Sequence, residues 1–289
     1  MELLVVASAL VASSCYAFQC GDPVVQPQLI DLNIVGGQQV VPKSFPWQVG
    51  FYIIRPGDPS SVHGVHYCAG ALIDEQTVIT AAHCFNYLPH QVRLHLGSHK
   101  RESKDEGEVW MNVEHFCTHP KYSGHENDIG IVRLAEKVNF TDAIRPICLP
   151  EVDDNVRDDD KLYVTGWGYT TGGVIRKPAE VLMQARQIKI SKTECQGILL
   201  RSGITPESTE KLICTDHSRG SSCVGDSGGP LQTKRGGFWQ LQGIASGGPP
   251  VCGDPSVPMY YAETSRFVQW IEDYKRSARP KRDFSICSW

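Results

Sequence analysis

Short apolar runs separated by turn residues recur along the chain from Phe45 onward. Four such runs, rich in β-branched and aromatic residues, occupy residues 46–49, 71–73, 78–80 and 91–94. Many short, closely spaced runs of this kind are typical of strands in an all-β barrel or sandwich. We therefore expect antiparallel β-structure over most of the chain.

One later segment has the periodicity of a helix instead. Phe267, Trp270, Ile271 and Tyr274 recur at three- and four-residue spacing, so they share one face of a helix. The pattern predicts a C-terminal helix over about residues 265–277 that packs this face onto the body of the protein. The apolar stripe is interpreted as core.

The N-terminus has the pattern of a secretory signal peptide. Residues 3–12 are almost wholly apolar but too short to span a bilayer, and Cys15-Tyr16-Ala17 supplies a small-x-small cleavage pattern. We interpret residues 1–17 as the signal peptide and predict a secreted, extracellular protein. No later apolar run is long enough for a transmembrane helix, so no membrane partner is expected.

Composition and charge narrow the function classes. A chain of 289 residues with 41% hydrophobic content can bury a sizeable core, and its net charge is only −4. Nucleic-acid binding needs a concentrated basic face, which is not evident here. A small basic run near the C-terminus is interpreted as a solvated helix end and tail: Lys275, Arg276, Arg279, Lys281 and Arg282.

The cysteine count agrees with secretion. The chain has 11 cysteines, and removal of Cys15 with the signal peptide leaves an even number for disulfides. Because there is no Cys-x-x-Cys pair, we expect no zinc site.

Three segments carry the candidate chemistry. Ser227 follows Asp226 and precedes two glycines in the stretch Gly225-Asp226-Ser227-Gly228-Gly229-Pro230, where a tight turn exposes a hydroxyl. The other segments are Ala81-Ala82-His83-Cys84 and Asn127-Asp128-Ile129-Gly130. The chain order His83, Asp128, Ser227 is that of one group of Ser-His-Asp proteases. With these motifs the sequence strongly resembles the chymotrypsin family (S1) of serine proteases.

The resemblance implies a fold and an activity. The fold would be two six-stranded antiparallel β-barrels with the C-terminal helix, forming a catalytic domain over residues 34–289. The activity would be endopeptidase hydrolysis, with Ser227 as nucleophile, His83 as general base and Asp128 orienting the imidazole. Ser246 matches the family serine that hydrogen-bonds this aspartate. The N–H groups of Gly225 and Ser227 would form the oxyanion hole.

The resemblance also implies activation by cleavage. Residues 18–33 would form a propeptide, because Ile34-Val35-Gly36-Gly37 resembles the mature N-terminus of the family. The new α-amino group of Ile34 would pair with Asp226 and order the loop that carries Ser227. The residue before the cut is Asn33, where most relatives have Arg or Lys. We therefore hypothesise activation by an asparaginyl endopeptidase.

Substrate preference is inferred from the residues that resemble the first specificity pocket: Ser221, Ser222, Ser246, Gly247, Gly248 and Met259. Ser221 stands where trypsins have aspartate, so a buried Lys or Arg of the substrate would lack a partner. Met259 stands where chymotrypsins have glycine and should fill part of the pocket. Chymotrypsin-like and elastase-like preferences both remain open. Gly247 replaces an aromatic residue that usually flanks the next subsites.

The family pattern also implies disulfide pairings. They would be Cys68–Cys84, Cys195–Cys214, Cys223–Cys252 and Cys20–Cys148, the last of which would tether the propeptide. Cys117 and Cys287 are left as the remaining pair and would pin the C-terminal extension, residues 278–289.

The sequence also indicates a glycosylation site, a loop similar to a calcium loop, and the partners of the protein. Asn139-Phe140-Thr141 is a glycosylation sequon. The segment 98–108 resembles the calcium loop of trypsins, but Ser98 replaces a glutamate ligand, so neither calcium nor another cofactor is expected. Protein or peptide substrates, an activating protease and protein protease inhibitors are the implied partners.

Two other functions are consistent with parts of this pattern. One is a serine-protease homologue that has lost activity and acts as a binding protein. Such relatives usually lack the histidine, the serine or the activation terminus, whereas this chain has all of them: His83, Asp128, Ser227, Ile34 and Asp226. The other is an α/β-hydrolase esterase, which is excluded because its aspartate and histidine follow the serine in the chain.

Overall fold

The computed structural model describes residues 19–29, 37–54, 64–102, 104–170, 177–205, 209–216, 222–277 and 287. The predicted signal peptide, Asn33, Ile34 and Ser221 lie outside them. In chain order the strands are β1 (Gln38–Gln39), β2 (Gln48–Ile53), β3 (Val65–Leu72), β4 (Thr77–Thr80), β5 (Val92–Leu96), β6 (Val109–Thr118), β7 (Gly130–Leu134), β8 (Leu162–Gly166), β9 (Met183–Gln187), β10 (Leu212–Thr215), β11 (Pro230–Arg235), β12 (Phe238–Gly247) and β13 (Met259–Glu263). The α-helices are α1 (Lys192–Arg201) and α2 (Val268–Arg276).

The first half of the chain forms a closed antiparallel barrel with strand order β2-β3-β4-β7-β6-β5. Alternation of side chains explains its interior. On β5, Val92 and Leu94 are buried while Arg93 between them is exposed, as expected for a strand with one face on a core. Closure leaves no unpaired edge strand in this half.

The second half forms a seven-stranded antiparallel sheet with strand order β1-β9-β8-β11-β12-β13-β10. The expected two-barrel class is confirmed, but closure of the second barrel is corrected: it is a half-barrel. After β9 the chain turns toward α1, so no ladder continues along β10. Two backbone hydrogen bonds still link the edges, from Ile190 N to Cys214 O at 3.0 Å and from Asp216 N to Ile188 O at 2.9 Å.

A core of tryptophans and a polar network join the two halves. Trp47 and Trp239 are fully buried with ring centroids 6.2 Å apart. The indole N–H of Trp47 donates to Gln232, whose amide donates to Thr165 Oγ1 at 3.1 Å. Thr165 in turn donates to Gln48 Oε1 at 2.6 Å. These buried hydrogen bonds fix one docking of the two sheets, because an unmet buried polar group is unfavourable.

The C-terminal helix lies against the first barrel. A 3₁₀ turn, Thr264–Arg266, precedes α2, whose Val268, Ile271 and Tyr274 are buried. The Tyr274 hydroxyl lies 2.8 Å from His115 Nε2 on β6. In the described part of the chain, no helix is both long and apolar enough to cross a bilayer.

Five disulfides link the described residues, with the pairs that the sequence analysis names: Cys20–Cys148, Cys68–Cys84, Cys117–Cys287, Cys195–Cys214 and Cys223–Cys252. The segment around Cys20 is also held by backbone hydrogen bonds. Gly21 N donates to Pro146 O at 2.8 Å, and Trp239 N donates to Gly21 O at 2.8 Å. Gly21 has φ +68°, and a Cβ there would lie 2.3 Å from Trp239 O, so this contact requires glycine.

Candidate active site

His83 and Asp128 are brought together by two neighbouring strands of the first barrel. β4 pairs with β7, with Thr80 opposite Gly130, so the end of β4 lies beside the start of β7. A 3₁₀ turn, Ala82–Cys84, follows β4 and carries His83. Its Nδ1 lies 2.7 Å from Asp128 Oδ2, and its backbone N–H donates to Asp128 Oδ1 at 2.9 Å.

The second sheet adds a third donor to Asp128. Ser246 on β12 donates its hydroxyl to Asp128 Oδ2 at 2.6 Å. The aspartate side chain is 2% exposed, whereas that of His83 is 31% exposed. A buried carboxylate that accepts several hydrogen bonds holds the imidazole in one orientation, while the other side of the imidazole remains exposed to solvent.

Ser227 approaches this pair because its neighbour is glycine. A Cβ on Gly228 would lie 2.1 Å from Thr80 Oγ1 and 2.5 Å from Ala69 O. The Ser227 carbonyl accepts from Ala69 N at 2.7 Å and lies 3.7 Å from Cys84 Sγ, one residue beyond His83. Among the described residues the Ser227 hydroxyl has no hydrogen bond to His83. Such bonds are often long without substrate and tighten in the reacting complex.

Two backbone N–H groups flank the serine. Gly225 has φ +98°, a left-handed conformation that favours glycine. Within the described ranges, neither Gly225 N–H nor Ser227 N–H donates to a backbone carbonyl. The backbone carbonyls of the described residues therefore leave both groups without a partner, and the oxyanion role of these groups remains a prediction.

Asp226 occupies a tight, uncharged site in the second half. A Cβ on Gly166 or Gly168 would lie 2.0 Å or 2.3 Å from its carboxylate oxygens. The carboxylate accepts from Gly168 N at 2.7 Å and from Cys223 N at 2.9 Å. Burial raises the pKa of Asp226 to about 6, and these two hydrogen bonds only partly offset it. None of the cationic side chains that the structure describes pairs with it.

A small cavity of about 30 Å³ adjoins Asp226 and is also lined by Gly37. The residues predicted to be cut apart, Asn33 and Ile34, lie outside the described ranges. Gly37 is only three positions after Ile34, and three extended residues reach roughly 10 Å.

Of the residues predicted to form the first specificity pocket, Ser221 lies outside the described residues, and the others make the following contacts. Ser222 is buried, with its hydroxyl 3.1 Å from that of Tyr261. Met259 is also buried, and a Cβ on Gly248 would lie 2.2 Å from its Sδ. The thioether therefore packs directly on Gly248. Gly247 has an equally close neighbour, because a Cβ there would lie 2.2 Å from the Tyr260 hydroxyl.

The described residues contain one close cluster of metal-ligating side chains: Cys68, His83 and Cys84. The two cysteines form a disulfide, so they do not offer thiolates to a metal. In the loop compared with a calcium loop, burial alone would raise the pKa of Asp105. The N–H groups of Lys100 and His99 and the Ser98 hydroxyl hold its pKa below the ordinary value instead. Asn139 of the sequon is exposed.

Two contacts near the site are not predicted by the sequence. Tyr260 on β13 lies with its hydroxyl 3.1 Å from His125 Nδ1, and Lys211 Nζ donates to Asn127 Oδ1 at 2.8 Å. The available signal was Gly247: a missing aromatic side chain leaves space that a neighbouring side chain must fill.

The chain is similar in sequence to known proteins, and this similarity is evidence independent of the site geometry. A family model described as Trypsin matches residues 34–271. Chymotrypsin-C of Mus musculus is 35% identical over 274 residues, covering 92% of this chain and 97% of the relative. Chymotrypsin-C of Bos taurus is 34% identical, covering 89% and 93%. CLIP domain-containing serine protease B4 of Anopheles gambiae is 33% identical, covering 85% of this chain and 71% of the relative.

Proposed function

Because the chain belongs to the trypsin (S1) family and is a serine endopeptidase, we propose that it is secreted as a zymogen, activated after Asn33, and cleaves after uncharged aliphatic residues. The hydrogen bond of 2.7 Å between His83 Nδ1 and buried Asp128 carries the catalytic part of this proposal. The sulfur of Met259 packed on Gly248 carries the specificity part.

The proposed reaction is acyl transfer in two steps. His83 Nε2 takes the proton of the Ser227 hydroxyl as the Ser227 oxygen attacks the substrate carbonyl carbon. The negative charge that develops on the carbonyl oxygen is stabilised by the N–H groups of Gly225 and Ser227, each of which is typically worth about 3 kcal/mol. His83 then protonates the leaving amine, and a water molecule, deprotonated by His83, releases the acyl group.

The proposed preference at the residue before the cut rests on two features of the pocket. Ser222 and Ser221 offer no charge to Lys or Arg, and burying an unpaired cation is costly. Met259 takes up space beside Gly248 that a large aromatic ring would need. Leu, Met, Val and Ala fit a shortened apolar pocket better. This favours the elastase-like over the chymotrypsin-like alternative.

The proposed activation uses the acid that lacks a cation in the uncleaved chain. Cleavage before Ile34 frees an α-amino group within reach of the cavity that Gly37 and Asp226 share. An ion pair there would lower the pKa of Asp226 and order the Gly225–Ser227 turn. The identity of the residue before the cut, Asn33, favours an asparaginyl endopeptidase, since trypsin-like enzymes cut after Lys or Arg.

The experiment is a matched pair of digestions followed by substrate profiling. The purified zymogen is incubated with an asparaginyl endopeptidase or with trypsin, and the new N-terminus is sequenced. We expect Ile-Val-Gly-Gly and peptidase activity with the first enzyme only. A peptide library should then show cleavage after Leu, Met, Val or Ala. Preferred cleavage after Lys or Arg would refute the pocket argument, and Met259→Gly should shift the preference toward Phe and Tyr.

The inactive homologue is the alternative to the proposed catalysis, and the lack of a hydrogen bond between the Ser227 hydroxyl and His83 among the described residues does not favour it, because such bonds tighten only in the reacting complex. Labelling with an organophosphate separates the two. Stoichiometric labelling of Ser227 after cleavage, and none in Ser227→Ala, supports the enzyme; no labelling of the cleaved protein supports the homologue.

Secretion, glycosylation at Asn139 and binding of protein inhibitors complete the proposal. The signal-peptide pattern, the five disulfides and the exposed sequon support it, because disulfides persist in oxidising compartments. No cofactor is proposed.

A further inference from the structure

The loop of residues 119–128, here called the aspartate loop, joins β6 to β7 and ends at Asp128. It folds back on itself, since Ser123 N and Glu126 N each donate to the carbonyl of the other residue, at 3.1 and 2.9 Å. Asn127 follows this turn with φ +49°, which is uncommon for a residue other than glycine. The conformation just before Asp128 therefore needs support from outside the loop.

Lys211 gives that support to Asn127. It lies just before β10, in the second half of the molecule, and its Nζ donates to Asn127 Oδ1 at 2.8 Å. Asn127 Nδ2 in turn donates to Lys121 O at 2.9 Å, so the amide links Lys211 to the start of the loop. The Lys211 ammonium also lies 5.5 Å from the centre of the Phe267 ring, which adds a cation–π contact.

Tyr260 gives similar support to His125. Its ring is buried, and its hydroxyl lies 3.1 Å from His125 Nδ1. A Cβ at position 247 would lie only 2.2 Å from this hydroxyl. Glycine at position 247 therefore makes room for the Tyr260 side chain. Burial, and then the charge of Asp128, raises the pKa of Tyr260 to about 12. The phenol therefore keeps its proton, and its hydroxyl shares a hydrogen bond with His125 Nδ1.

We propose that Lys211 and Tyr260 are positioning residues for Asp128: from the second sheet they hold Asn127 and His125, one and three positions before the aspartate. The inference rests on the proposed function, because Asp128 is there the partner of the general base. Together with Ser246, these side chains make three attachments of the aspartate loop to the second half. Asp128 thereby keeps its place against His83.

The test compares Tyr260→Phe and Lys211→Met in the full chain cleaved before Ile34. Tyr274→Phe is the matched control, because it also removes a hydrogen bond between a mostly buried tyrosine and a histidine, but this histidine lies on β6, outside the aspartate loop. Lys177→Met controls for loss of one positive charge; Lys177 is exposed and paired with Glu180.

We expect kcat to fall about tenfold in Y260F and in K211M with KM within about twofold, because misplaced catalytic groups slow the chemical step. The acid limb of the pH profile of kcat/KM should move to lower pH, because a less well-placed Asp128 stabilises the His83 imidazolium less. Both controls should keep the wild-type kcat and pH profile, even if Y274F lowers Tm as much as Y260F. Wild-type kcat and profile in Y260F and K211M, or equal changes in Y274F, would overturn the inference.

A second measurement separates this inference from the proposed function. If the cleaved wild-type protein hydrolyses no peptide, the proposed function fails, and the inference is read instead from the downfield NMR signal of the His83 Nδ1 proton. Faster exchange of that proton in Y260F and K211M, but not in Y274F, supports the positioning role. Unchanged exchange in both variants contradicts it.

Discussion

Two buried acids of the candidate site, Asp128 and Asp226, differ in the hydrogen-bond donors that surround their carboxylates. Asp128 receives donors from the His83 backbone, the His83 ring and Ser246. Asp226 receives only two backbone N–H groups, and burial raises its pKa to about 6. The first barrel thus holds an acid that already has its side-chain partners, whereas the second half holds a buried carboxylate whose pKa is raised and that accepts hydrogen bonds from backbone N–H groups. In the proposed function, cleavage supplies what the second acid lacks.

The largest expected loss of kcat comes from a change to Asp128, the partner of His83. Asp128→Asn should reduce kcat of the cleaved enzyme about 10⁴-fold, because the amide favours the wrong imidazole tautomer. Cleavage before Ile34 should be unaffected, as checked by N-terminal sequencing. A loss of less than about tenfold would mean that Asp128 does not orient His83.

The next effect comes from the acid that waits for a partner. Asp226→Asn should be cut normally but remain at least about a hundredfold less active, since the loop that carries the oxyanion donors stays unordered. Steady-state kinetics on the sequenced, cleaved protein measures this. Equal activity of the cut variant and the cut wild type would remove Asp226 from the activation mechanism.

The uncleaved protein should also show the cost of Asp226 as a pH dependence. Because folding raises the pKa of Asp226 from 3.8 to about 6, the native state holds a proton that the unfolded state releases first. The stabilisation from this proton is full below about pH 4 and is lost as pH rises through about 6, on the order of 3 kcal/mol. Histidines with lowered pKa values, such as His66 and His119, act in the opposite direction in this window. Urea unfolding at pH 4 and pH 7 should therefore be compared between the wild type and Asp226→Asn.

Cleavage should reverse the sign of that difference. In the cleaved protein the Ile34 amine would hold Asp226 ionised, so its contribution would appear as pH rises through about 4 and fade only when the amine deprotonates above about 8. A cleaved protein with the same pH slope as the zymogen would argue against the ion pair.

The smallest effect should come from Ser246→Ala. Asp128 keeps both donors from His83, so removal of one hydroxyl should lower kcat only a few-fold, on the order of 1 kcal/mol. Asp128→Asn in the same background should then cost nearly as much as it does alone. A loss in S246A as large as that in D128N would mean that Ser246, rather than His83, holds the carboxylate.

Much of the fold could be predicted from hydrophobic periodicity, because this periodicity depends only on residues close together in the chain. The alternation Val92-Arg93-Leu94 and the stripe of Phe267, Ile271 and Tyr274 each report one buried face. The half-barrel was not predictable in the same way. Closure depends on where the chain leaves β9, and residues 188–190 carry no pattern that distinguishes a ladder from two isolated bonds.

The residues of the candidate site likewise fall into two groups: those in local sequence motifs, which could be predicted, and those in contacts between distant parts of the chain, which could not. His83, Asp128 and Ser227 stand in short recognisable motifs, and the structure brings their segments together. Lys211 and Asn127 are 84 positions apart, and Tyr260 and His125 are 135 apart. Such contacts arise only from the docking of the two halves, which a single sequence does not state.

The anchoring of Cys20 and Gly21 has a practical consequence for following activation. A cut after Asn33 would leave the severed leader bonded to the body through Cys20–Cys148 and seated in the Gly21–Trp239 contact. The processed form would be a two-chain molecule with nearly the mass of its precursor, a single band on a non-reducing gel. Only a reducing agent would release the small fragment. Activation therefore has to be followed on gels run under reducing conditions.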